Sequence, residues 1–80
     1  MTELEQRILA LLDARAADAS ICPSDVARDV DPDDWRPLMQ PVRDAAARLA
    51  ASGRVEVTQQ GQVVDVTTAR GPVRIRRPQA

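Results

Sequence analysis

The side chains that could do chemistry in this chain are mostly arginines. All eleven basic residues of its 80 are Arg, with no Lys and no His. The missing His removes the imidazole base and the ordinary zinc site. Cys22 is the single cysteine, and no His or Lys adjoins it to lower its pKa; Ile21 beside it points to burial, so it reads as structural. Asp29, Asp31, Asp33 and Asp34 resemble the start of a calcium loop. However, Asp34 stands where such a loop needs Gly, and Gln40 where it needs a bidentate Glu, so capping and solvation account for these acids better. There is no glycine-rich phosphate motif. No enzymatic activity, metal or cofactor is therefore expected. What remains is a set of donors: Arg36, Gln40 and Arg43 in mid-chain, then Arg54, then Arg74, Arg76 and Arg77 near the end. Arg suits guanine edges and phosphates, and Gln suits adenine edges.

The net charge of −1 does not favour nucleic acid, but the charge is unevenly spread. Residues 1–53 hold six Arg and ten acids, a balance of −4, while residues 54–80 hold five Arg and two acids, a balance of +3. An acidic body thus precedes a basic tail, and such local fields matter more than the total. Eighty residues make one domain with one core. That core must be aliphatic, because Trp35 is the only aromatic residue, and its size makes it the expected anchor. No apolar run is long enough for a membrane span. Acids at Glu3 and Glu5, where a secretory signal carries bases, argue against export. An unpaired cysteine fits a reducing compartment, so the expected location is the cytoplasm.

The elements that must position the donors follow from periodicity. Thr2 and Glu5 form a capping box opening a helix over about residues 2–17, with Leu4, Ile8, Leu11 and Leu12 inward. Leu9 lies off that face and reads either as one exposed leucine or as a possible dimer contact. Ile21 suggests a very short buried strand. Pro23 opens a second helix over 23–30, with Asp25 in its first turn and Val26, Ala27 and Val30 inward. Trp35, Leu38, Met39, Val42, Ala45, Ala46 and Leu49 form a stripe at spacings of three and four, predicting a helix over 33–52 that Gly53 closes. Pro37 and Pro41 interrupt it. Either the helix bends there, or a short turn precedes a main helix; the unbroken stripe favours one bent helix. Strands are expected over 54–58, 62–66 and 73–76, the first two joined by a Gln59-Gln60-Gly61 turn.

Three helices followed by a small antiparallel sheet make an α+β, mainly α, winged helix-turn-helix. In that fold the third helix enters the major groove, which would bring Arg36, Gln40, Arg43, Asp44 and Ala47 toward base edges. Arg74, Arg76, Arg77 and Arg54 would then meet phosphates. Against this, Asp44 and Arg48 are spaced for a surface pair, Asp31, Asp33 and Asp34 crowd the helix end that should approach DNA, and residues 59–62 of the wing tip carry no charge.

Four runs carry a resemblance: Ser20-Ile21-Cys22-Pro23-Ser24-Asp25-Val26-Ala27-Arg28, Trp35-Arg36-Pro37-Leu38-Met39, Val42-Arg43, and Arg70-Gly71-Pro72-Val73-Arg74-Ile75-Arg76. Together they resemble a family of short bacterial proteins known only as a domain of unknown function. The resemblance covers nearly the whole chain and implies a winged-helix fold in a cytoplasmic bacterial protein. It implies no activity, substrate or catalytic residue.

The leading expectation is therefore a DNA-binding protein, a small transcriptional regulator or accessory, whose partner is double-stranded DNA. The alternative is a protein-interaction module on the same scaffold with a protein partner and no nucleic acid. Neither involves a membrane, and a monomer or weak homodimer is expected. DNA binding requires the basic residues of the third helix and last strand on one surface. An interaction module predicts an exposed apolar patch, centred on Leu9, with the arginines dispersed or paired to acids.

Overall fold

The computed structural model describes residues 1–79. In chain order it contains α1 (Glu3–Asp13), β1 (Ser20–Ile21), α2 (Pro23–Val30), a 3-10 turn (Arg36–Leu38), α3 (Met39–Ala51), β2 (Glu56–Gln59), β3 (Gln62–Val63) and β4 (Arg74–Arg76). This is the winged-helix layout, with three helices and a four-stranded antiparallel sheet ordered β1-β4-β2-β3.

The capping box forms at α1. The Glu5 amide donates to Thr2 Oγ1 at 3.2 Å, and the Thr2 amide donates back to the Glu5 carboxylate. The helix stops at Asp13, short of the expected Ala17. Beyond Leu12, residues 13–18 are all exposed, so further turns would bury nothing to offset their ordering. At α2, Pro23 takes the first helical position, and the Asp25 carboxylate accepts from the Cys22 amide at 2.8 Å.

The third helix corrects the expectation of one bent helix over 33–52. Asp31 instead accepts from the amides of Asp33 and Asp34, making a turn. The 3-10 turn follows, and α3 begins at Met39. Pro41 is thus the third residue of α3, where its missing N–H would have had no partner within the helix, and no kink is needed. The far end closes as the sequence suggests: Gly53 has φ +77°, with Gly53 N bonded to Ala50 O and Arg54 N to Leu49 O.

In the sheet, register places Ile21, Ile75 and Val57 side by side, all essentially inaccessible to solvent. They pack with Ile8, Leu12, Val26, Val42, Ala45, Ala46 and Leu49 in an aliphatic core. Trp35 is half-buried at the edge of that core. The β2–β3 turn has positive φ at both Gln60 and Gly61, a two-residue turn matched to strand twist. Strand β2 starts at Glu56, not residue 54, because Arg54 still completes the helix end. Strand β3 ends at Val63, not residue 66. Asp65 captures the Thr67 amide and hydroxyl with its carboxylate, and the Thr68 and Ala69 amides with its carbonyl, turning the chain off the ladder.

Candidate functional site

The seven nominated donors do not form a common free surface. Arg43, half-buried on α3, donates to Ala69 O at 2.8 Å and Gly71 O at 3.2 Å. Arg74 donates to Ser20 Oγ and Ser20 O, both at 2.9 Å, and to Cys22 Sγ, stapling β4 to β1 and the start of α2. Arg76 pairs with Glu56, its register partner on β2, at 2.9 Å. Arg77 pairs with Asp13 at the end of α1. Gln40 donates to Asp44 at 2.8 Å. Arg36 is exposed, with its guanidinium 4.6 Å from the Trp35 ring centroid and that of Arg28 4.3 Å from the same centroid. Arg54 is exposed and makes no side-chain polar contact among the described residues.

Of the remaining arginines three are engaged, while Arg70 is exposed and makes no side-chain polar contact among the described residues. Arg7 pairs with Asp29 and Glu3, and Arg15 with Asp25. The expected Asp44–Arg48 pair is replaced by a longer-range one, in which Arg48 donates to Glu5 at 2.9 Å and ties α3 to the capping box of α1. That hydrogen bond holds the Glu5 carboxyl below its ordinary value, against a desolvation cost and with help from Thr2.

Leu9 is half-buried and packs against the core, so it does not form the exposed position that the sequence suggested. Met1 and Val63 are the exposed large apolar residues among those described. Concave apolar surface lies elsewhere, including a cleft of about 370 Å³ lined by Ala47, Ala50, Ala51 and Val64 to Thr67. A larger cleft of about 410 Å³ is lined by Cys22, Pro23, Ser24, Met39, Arg43, Gly71, Pro72 and Val73. It sits where the starts of α2 and α3 meet the loop leading into β4. All eight residues come from the four runs that carry the family resemblance.

One wall of this cleft is pinned from two directions. Arg43 takes the carbonyls of Ala69 and Gly71, while the Gln59 side-chain amide takes those of Arg70 and Pro72. Four consecutive carbonyls are therefore held alternately by two side chains. Gly71 has φ +82°, a conformation suited to glycine. Sequence reading missed the cleft and missed Gln59, which looked like one uncharged residue of a wing tip. The available signal was the Gly71-Pro72 break before an alternating strand, which marks a loop but not what holds it.

The family model described as "Protein of unknown function (DUF3253)" matches residues 1–78. The chain belongs to this family. A comparison with curated proteins finds no match. The DUF3253 match spans every element of the fold and all eight cleft residues. Among the described residues no helix is long and apolar enough to cross a membrane.

Proposed function

We propose that this chain is a non-enzymatic protein-interaction module on a winged-helix scaffold, recognising its partner through the cleft between α2, α3 and the β4 entry loop. The observation that carries this reading is where the basic side chains spend their donors. Arg43 and Arg74 hold backbone carbonyls, and Arg76, Arg77 and Arg48 face carboxylates. An exposed ion pair is worth only about 0–1 kcal/mol, so any one could be exchanged for a phosphate. Even so, each acid beside its arginine cancels the local field that phosphate attraction needs. The exposed α3 side also carries Asp44, with Asp33 and Asp34 exposed on the approach to it. The cleft, in contrast, is preformed and mostly apolar.

Capture of partners from a bacterial extract with three forms of the full chain tests this. A partner held by the wild-type chain should be lost with Met39→Glu, which puts a charge in the cleft, and retained with Arg54→Ala. Partners retained equally by both variants would contradict recognition through the cleft.

DNA binding is the second reading, favoured by one observation: Arg28, Arg36, Arg54 and Arg70 are exposed and have no acidic partner among the described residues. In that reading α3 enters the major groove and Arg74, Arg76 and Arg77 exchange their partners for phosphates.

A further inference from the structure

We propose that the cleft takes the carboxyl-terminal end of a partner polypeptide, with an aliphatic last side chain among Pro23, Met39, Pro72 and Val73 and the terminal carboxylate on Arg43. This rests on the interaction reading and names the chemistry of its partner.

Three features of the cleft select that occupant. The first is charge. Arg43 is the only ionised side chain among its eight lining residues, so the cleft joins apolar walls to a single cation and no acid. An apolar group carrying one negative charge complements that arrangement, whereas an amine or a neutral amide does not.

The second is the state of the guanidinium. It has five N–H donors, of which Ala69 O and Gly71 O occupy two. Those two bonds hold the planar group in place and leave three donors, enough for a carboxylate with both of its oxygens. Because Gln59 pins the alternate carbonyls of the same loop, the wall behind Arg43 is fixed before anything binds. Arg74 does not line the cleft, and three of its five donors go to Ser20 and Cys22.

The third is shape. At about 410 Å³ the cleft lies at the small end of the range for ligand sites, and it is a surface notch rather than an enclosed cavity. A free small acid would stay partly in water there, while a polypeptide brings further residues to cover the rim. A chain end also places its carboxylate and its last side chain on the same Cα. Arg43 stands within the apolar lining itself, which suits that short separation.

The test is a titration of the ¹⁵N-labelled full chain, followed by amide chemical shifts. The probe is an N-acetylated Gly-Ser-Gly-Ala-Leu peptide with a free carboxyl terminus, compared with its C-terminal amide and with an amidated peptide carrying an internal Asp before the Leu. The free acid should produce saturable shifts at Ser24, Met39, Gly71 and Val73, and the amide should bind at least tenfold more weakly. Arg43→Gln should erase the difference between acid and amide. Because Arg43 also holds its loop, Met39→Glu serves as the second variant. It keeps the Arg43 side chain and, by placing a carboxylate one helical turn from the guanidinium, should abolish binding of the acid while the spectrum stays dispersed.

Equal binding of acid and amide would overturn the carboxylate assignment while leaving cleft recognition standing. Equal binding of the internal-Asp peptide would overturn the chain-end assignment. No shifts from any peptide would overturn the inference itself, and the capture experiment decides separately whether the cleft engages a protein at all.

Discussion

Arg43 and Gln59 hold opposite sides of the same four-residue stretch. Arg43 reaches from α3 to the carbonyls of Ala69 and Gly71, and Gln59 reaches from β2 to those of Arg70 and Pro72. The loop that leads into β4 is thereby fixed between a helix and a strand. Each side chain should contribute about 1–2 kcal/mol, and because they restrain one segment their effects should not add. Urea denaturation of Arg43→Ala, Gln59→Ala and the double variant is expected to show a coupling of at least about 0.5 kcal/mol. Strict additivity would mean the two restraints act independently.

The exposed arginines should behave differently. Arg54→Ala removes no polar contact, so its stability should stay within about 0.5 kcal/mol of the wild type. The same denaturation series reads this directly, and a loss comparable to that of Arg43→Ala would show an unrecognised role for Arg54.

Glu5 links the capping box to α3, and its carboxyl is held below the ordinary value chiefly by Arg48. A carboxyl depressed in the folded state favours folding above its ordinary value. That stability is lost as pH falls from the ordinary value through the depressed one. Melting temperature followed through this acid window should therefore fall less steeply in Arg48→Ala than in the wild type. Parallel profiles would remove Arg48 as the cause. At neutral pH, Thr2→Ala should cost about 1 kcal/mol through the lost cap.

Gln60 adopts φ +53° in the β2–β3 turn, where a long side chain is disfavoured. Gln60→Asn should stabilise the chain by about 0.5 kcal/mol, because Asn-Gly suits a turn with two positive φ angles. For a domain of this size that corresponds to a rise in Tm of about 2–4 °C. A fall in Tm would show that the Gln60 side chain contributes something the turn geometry does not reveal.

The fold was legible where local rules and burial agree. The Thr2–Glu5 box, Pro23 at a helix start, the Val42–Leu49 stripe, the Gly53 stop and the Ile75 strand are each visible in a few adjacent residues. Errors arose where a polar side chain decides the backbone path at short range. Asp31 makes a turn of residues that continue a helical pattern, and Asp65 ends a strand that alternation would extend. The site was less legible still. Arg74 and Arg76 read from sequence as a cationic outer face, and they do point outward. Their partners Ser20, Cys22 and Glu56 come from segments 20 or more positions away, which no local pattern encodes. The cleft is a product of the same tertiary approach, joining residues 22–24, 39–43 and 71–73.

The most direct test of the account is whether these arginines attract phosphate. Fluorescence anisotropy of a labelled mixed-sequence duplex, titrated with the full chain at several salt concentrations, counts neutralised phosphates from the salt slope. Protein shown to be folded should give no saturable binding even at low salt. Tight binding with a steep slope, reduced by about one unit for each of Arg74→Ala and Arg76→Ala, would contradict this expectation and restore α3 and β4 as a DNA-binding surface.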